Sequence, residues 1–316
     1  MHLFIYCMGH FLTLGSEKIK MKEGLMRITL FRKKNQLLTG YLLLIPAMVG
    51  IFLFILFPMA QTFIYSLFRW DLLGDKVFIG LDNFKFLFKD PFFKRTIINT
   101  FLYTIITFLG TFTLSIATAL LMQSEVKIIR WARGAIFIPV VVPMAVMGLI
   151  WKMLYEPQFG VINQILSFFR IPPQQWLYSG KLALIAVVIF SIWKEFGLYT
   201  IILIGGLQKV PNELYEAAAI DGANSFQSFF KITLPSLRPI IFFVTTILII
   251  NSFKVFDHIW VMTQGGPGNA TSVMVTFIYT KLYDSVGLAS AASLVLFLII
   301  LTITFVRMKL TREETY

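Results

Sequence analysis

Residues 182–206 read LALIAVVIFSIWKEFGLYTIILIGG, a run whose only charged members are the adjacent Lys194 and Glu195. At about 1.5 Å per helical residue, such a run is long enough to cross a hydrocarbon layer of about 30 Å. A short polar stretch follows, and beginning at Tyr215 the chain reads YEAAAIDGANSFQSFFKITLPSLRP before the next apolar run. The fold turns on how many runs of the first kind there are and on what the second kind does between them.

The chain of 316 residues is 57% hydrophobic and 14% charged, against about 25% charged in soluble domains. The mean hydropathy is +0.78, the composition of an integral-membrane protein. Runs near 38–66, 98–122, 134–154, 182–206, 239–262 and 286–306 each reach the length of a span. The expectation is an all-α, polytopic membrane protein with six transmembrane helices, in which 36–310 is the membrane domain, 1–35 a basic N-terminal tail and 311–316 a C-terminal tail.

The formal charge is +12. Its Lys and Arg gather at the ends of apolar runs rather than in a patch among polar residues, which points to anionic lipid headgroups and away from nucleic acid. Lys18, Lys20, Lys22, Arg27, Arg32, Lys33 and Lys34 precede the first run, and Arg307, Lys309 and Arg312 follow the last. With an even number of spans, the positive-inside rule puts both termini in the cytoplasm. The short second loop, with Lys127, Arg130 and Arg133, fits that orientation. The first loop, with Arg69, Lys76, Lys85, Lys89, Lys94 and Arg95, runs against it.

Residues 1–26 have the apolar content of a signal peptide but neither a basic start nor a small-residue cleavage site, and Met21 and Met26 are alternative starts. Cys7 is the single cysteine, which excludes an internal disulfide and a multi-cysteine metal site. His2, His10 and His258 lack metal-ligand spacing, so no metal is expected.

In the polar stretch, Pro211 and Asn212 predict a helix start, Glu213 and Glu216 lie near the positive end of its dipole, and Gly222 suits a left-handed stop. A helix from Asn212 to Asp221 follows. Ser225 is placed to cap a second, with Phe226, Phe229 and Phe230 on one face, which Leu234-Pro235 stops. Leu214, Ala217 and Ala218 share a face on which small residues permit close approach, and Glu216 offers a charge. Two readings fit: a helix seated in a socket, or an amphipathic hairpin lying on headgroups. Interfacial helices usually carry Lys and Arg, whereas this one carries Glu213, Glu216 and Asp221.

Glu216-Ala217-Ala218, then Gly222, then Ile232-x-Leu234-Pro235 resembles the EAA loop of permease subunits of bacterial ABC importers. The longer forms ELYEAAAIDGA and KITLPSLRP are similar to the carbohydrate branch, the maltose-type and glycerol-phosphate-type permeases. Further similar stretches are GLDNFKFLFKDPFF at Gly80, NTFLYT at Asn99, the Pro139 and Pro143 pair, Trp151 with FGVIN at Phe159, and FDHIWVMTQGGPGNAT at Phe256, the last resembling the first of the two permease partners. The first extracellular loop, near 68–97, is too short for the folded domain of the maltose protein, so the resemblance is to the shorter, six-helix members.

The resemblance implies a multi-pass permease of the bacterial inner membrane. Its coupling residues would be Glu216, Ala217, Ala218, Gly222, Leu234 and Pro235, docking into a cleft on an ATP-hydrolysing subunit. The implied partners are a second permease subunit, a pair of ATP-binding subunits and an extracytoplasmic solute-binding protein. ATP and Mg would be held by the ATPase, and no cofactor by this chain. The chain itself has no G-x-x-x-x-G-K-[ST] phosphate loop.

Ionisable groups inside a span usually face a cavity or a partner helix. Lys194 and Glu195, beside Trp193 and Tyr199, are candidates for a solute path or gate, with helix packing as the alternative. In the fifth run Asn251, Lys254 and Asp257 fall three apart, with Phe253 and Phe256 among them. This polar stripe beside an aromatic one suits sugar hydroxyls and C–H faces, and interhelical hydrogen bonding is its alternative. A secondary transporter would show paired broken helices in two repeated halves. A permease for a solute other than a sugar also remains open. A membrane-embedded enzyme would need two His with carboxylates, or a Ser with a base, and the sequence shows neither set.

Overall fold

A computed structural model describes residues 41–123 and 126–313, and the chain divides into two units at Gln61–Thr62. The basic tail 1–35 with its alternative starts, and residues 314–316 of the C-terminal tail, lie outside the described residues. The first unit is helical from residue 41. Its helix is part of α1 (Tyr41–Tyr65), whose most apolar 18-residue stretch has a mean hydropathy of 2.6 and whose last residues, Thr62–Tyr65, fall in the second unit. One wide turn, Phe52–Leu56, ends with the Phe57 N–H donating to the Phe52 carbonyl, immediately before Pro58. A turn closed by i→i+5 bonds shifts the register of carbonyls, which accommodates a ring that has no N–H to give.

After the end of α1 the second unit continues with a two-stranded ribbon, β1 (Phe68–Arg69) against β2 (Val77–Phe78), with Phe68 opposite Phe78. α2 (Asp82–Lys89) is fastened to it by buried Asn83, whose amide donates to the carbonyls of Ser66 at 2.8 Å and Phe68 at 2.9 Å. Asp90 caps α3 (Pro91–Leu121), accepting from the Phe92 N–H at 2.8 Å, with Pro91 in the first turn. α3 therefore begins seven residues ahead of the apolar run that marked it, because a cap rather than hydropathy sets its start.

α4 (Lys127–Val141) and α5 (Met144–Leu154) are the two arms of the third run, bent by 98°. Pro143 cannot donate to the α4 ladder and starts α5 instead. α6 (Val161–Phe168) and α7 (Ala183–Leu207) follow. Next come α8 (Asn212–Ile220), α9 (Ser225–Ser236) and α10 (Arg238–Phe253), with a 70° bend between the last two. α11 (Asp257–Thr263), α12 (Met274–Asp284) and α13 (Val286–Glu313) complete the unit. Among the described residues, four helices are long and apolar enough to cross a membrane, or six spans if each bent pair counts as one.

The fifth run differs from expectation. It was expected to continue to residue 262, but α10 ends at Phe253 and α11 starts at Asp257 after an irregular Phe256 (φ −149°, ψ −60°). Asn251, Lys254 and Asp257 therefore do not share one helical stripe.

α3 and α7 pack along each other at the centre of the unit. Buried Leu203, Leu207, Leu237, Val244 and Leu248 join α7 to α10, and Phe93, Phe253, Phe277 and Ala291 join α3, α10, α12 and α13. Gly206 makes the first contact possible: a Cβ there would collide with Ile240 and Leu237. Small residues at such crossings let helices approach without a hydrophobic drive between them.

Candidate functional site

The polar stretch forms the two helices expected of it, with different ends. α8 stops through a pair of backbone bonds, Ala223 N–H to the Ala218 carbonyl at 2.9 Å and Gly222 N–H to the Ala219 carbonyl at 3.1 Å, around Gly222 at φ +75°. That is a Schellman turn, which glycine makes without the Cβ penalty of the left-handed region. The cap of α9 is Asn224 and not Ser225: its side chain accepts from the Gln227 N–H at 2.8 Å, and Gln227 Oε1 accepts from the Asn224 N–H at 2.9 Å. Two reciprocal bonds satisfy two orphan donors where a serine one residue later would satisfy one.

Leu234-Pro235 does not stop α9. The wide turn Phe229–Thr233 ends with the Leu234 N–H on the Phe229 carbonyl, and the helix passes Pro235 to Ser236. This is the same arrangement that carries α1 past Pro58.

The faces of α8 also differ from the sequence reading. Glu213, Glu216, Ala217 and Ile220 are exposed, Ile220 by 86%, while Tyr215 and Ala218 are half-buried. The outward surface is therefore acidic with Ala217 and Ile220 in it, and Ala218 belongs to the inward face. Phe226 and Phe230 of α9 are exposed with ring centroids 4.6 Å apart. No other helix packs extensively along α8 among the described residues. At its base, a cleft of about 470 Å³ is lined by Gln123, Gln208, Lys209, Asn212, Glu213 and Tyr215, among others. Leu234 and Pro235 are half-buried, and Leu237 one residue beyond the end of α9 is fully buried.

The candidates for a solute path separate into two groups. Lys194 is 5% exposed, and its Nζ donates to the Val140 carbonyl at 3.1 Å. The last carbonyls of α4 have no helical partner, because Pro143 and the bend remove their donors, so an amine at this end meets both the orphan acceptor and the negative end of the dipole. Gly197, one turn further on α7, lets its backbone come against the Ile136 carbonyl, where a Cβ would collide. Phe253 is 2% exposed and meets Phe101 edge-on at 5.2 Å, and Tyr199 is 1% exposed. These three side chains face protein. Trp193 is half-buried against Trp151 at 5.0 Å, Glu195 is half-buried, and Asn251 and Asp257 are exposed, near the end of α10 and at the start of α11. Asn251 lies within reach of the Tyr199 hydroxyl.

A buried node joins three helices that the sequence did not connect. Tyr103 Oη on α3 lies 2.8 Å from Ser191 Oγ on α7 and 3.1 Å from His258 Nε2 on α11, and Ser191 Oγ is 2.9 Å from the same nitrogen. Ser191 donates its hydrogen to the Val187 carbonyl at 2.8 Å and accepts from the Tyr103 O–H, so the ring closes with Nε2–H donating to the two oxygens. A serine beside a base is thus present, contrary to the sequence reading. All three groups are buried, Ser191 fully, and the hydroxyl hydrogen is directed to backbone, so the arrangement fastens helices and presents no nucleophile to a solute. A histidine inside an apolar run was itself the available signal, since an ionisable group there needs a partner.

A family model described as "Binding-protein-dependent transport system inner membrane component" matches residues 111–312. The trehalose/maltose transport system permease protein MalF of Thermococcus litoralis is 35% identical over 277 residues, covering 86% of this chain and 93% of that one. The arabinooligosaccharides transport system permease protein AraP of Bacillus subtilis is 33% identical over 276 residues, covering 86% and 88%. A crystal structure of a bacterial alginate ABC transporter, in complex with an alginate pentasaccharide-bound periplasmic protein, shares the fold, with a TM-score of 0.77 at 24% identity over 90% of this chain and 96% of that one. The chain belongs to the family of inner-membrane components of binding-protein-dependent transport systems.

Proposed function

We propose that this chain is one of two permease subunits of a sugar importer driven by ATP hydrolysis on a separate pair of subunits, which hold ATP and Mg, with the sugar delivered by an extracytoplasmic binding protein. The observation that carries the reading is α8. Nine residues of helix are marginal in water by themselves, and among the described residues no other helix packs extensively along α8. Its exposed acidic face, closed at its C-terminal end by a tight turn, suits a basic-rimmed cleft on another protein better than an anionic lipid surface. The ATPase is that protein, and Glu216, Ala217 and Gly222 are the parts that dock, with Ala218, Leu234 and Pro235 holding the docked helix to the bundle.

The sugar class rests on the maltose and arabinooligosaccharide relatives and on exposed Asn251 and Asp257 with half-buried Trp193 and Glu195, an amide, two carboxylates and an aromatic ring. Both termini and the α8–α9 hairpin are on the cytoplasmic side. Purification from membranes through a tag on this chain tests the proposal. A complex that hydrolyses MgATP, and that after reconstitution takes up sugar only with ATP inside the vesicle face bearing α8, is the expected result. Uptake driven by an ion gradient in the absence of any ATPase would overturn it.

A further inference from the structure

We infer that the Tyr215–Thr233 hydrogen bond is the strut that makes α8 and α9 a single rigid arm, and that Tyr215 is a positioning residue for coupling ATP hydrolysis to transport. The inference rests on the docking role proposed for α8. The covalent path from α8 to α9 runs through residues 221–224, around the left-handed Gly222. A load applied to α8 through that turn alone would rotate the backbone there and dissipate, because glycine resists rotation least.

Tyr215 bridges the gap directly. Its hydroxyl lies 2.9 Å from Thr233 Oγ1, on the inward face of α8, away from exposed Glu216 and Ala217. The wide turn presents Thr233 for this contact. In an ordinary helix its hydroxyl would reach back four residues to Phe229. Here that carbonyl takes the Leu234 N–H, and Thr233 Oγ1 is directed at the Ser228 carbonyl, at 3.5 Å. With its hydrogen on that side, Thr233 accepts from the Tyr215 O–H.

Beyond Thr233 the path is stiff. The Leu237 N–H bonds the Thr233 carbonyl at 3.0 Å, and Leu237, fully buried, packs where Gly206 of α7 meets Ile240 of α10. A push on α8 therefore reaches two long helices through one hydroxyl pair placed ahead of the 70° bend.

The test is made on the whole transporter, with its ATPase, reconstituted in lipid vesicles. Tyr215→Phe and Thr233→Val should retain the ATPase and hydrolyse ATP, while sugar moved per ATP falls roughly 2- to 10-fold, the range set by one hydrogen bond. Thr233→Ser should restore the ratio, and the double variant should be no worse than either single one, as for two ends of one contact. An unchanged ratio in both single variants, or losses that multiply in the double variant, would overturn the strut. If Tyr215→Phe does not assemble, the contrast of Thr233→Val with Thr233→Ser decides by the same ratio. Failure of the docking role has a different signature: Ala217→Trp would then leave ATPase recovery and uptake normal, whereas failure of the strut alone leaves Ala217→Trp defective.

Discussion

Lys194 shows how one side chain can be legible as unusual and illegible in purpose. A lysine inside an apolar run announces a partner, but the partner is a carbonyl 54 residues away, exposed by a bend the sequence marks only as a proline pair. Lys194→Met should destabilise the purified complex by about 1–3 kcal/mol, the cost of leaving a buried acceptor unmet, and Lys194→Arg by less. Thermal unfolding in detergent checks this, and an unchanged midpoint with abolished uptake would return Lys194 to the solute path. Asn251 and Asp257 are the converse case, exposed near the end of α10 and at the start of α11. Alanine at either should alter uptake or sugar preference while the ATPase still co-purifies. Loss of the assembled complex, with no effect specific to transport, would make them packing residues.

At the scale of elements, turn chemistry was readable where it depends on one residue and unreadable where it depends on several. Gly222 marked the end of α8, and its φ of +75° follows from the position. Gly222→Val should strain that turn by about 1–2 kcal/mol and weaken ATPase recovery, whereas Glu216→Ala should have a small effect because an exposed ion pair is screened. Pro235 misled because a wide turn before it lets the helix continue, as a like turn does before Pro58 inside the first run. Neither turn leaves a residue pattern of its own. The break between α10 and α11 was equally silent, since Lys254-Val255-Phe256 contains no glycine or proline. The buried node of Tyr103, Ser191 and His258 explains how α11 is held once it has separated from α10, by bonds spanning 67 to 155 residues.

At the scale of the molecule, composition and run length conveyed the class of protein because the bilayer imposes a single length on every straight span. The straight spans were found within a few residues at most ends, whereas the third run was found without its bend and the fifth was carried past Phe253, where α10 ends. The loop of α8 and α9 was legible because it is polar where its neighbours are apolar. Its orientation is a prediction: a cysteine at Ser225, in a chain with Cys7 replaced, should resist a membrane-impermeant label added outside intact cells, and rapid labelling would contradict the topology. The central claim, that α8 is the point where an ATPase grips the membrane helices, is tested most directly by Ala217→Trp, since Ala217 is exposed and its enlargement fills space outside the chain. Overfilling a close contact costs about 1–3 kcal/mol, so this variant should insert normally, recover several-fold less ATPase on purification and lose uptake in proportion. Full recovery of the ATPase together with normal sugar uptake would contradict it.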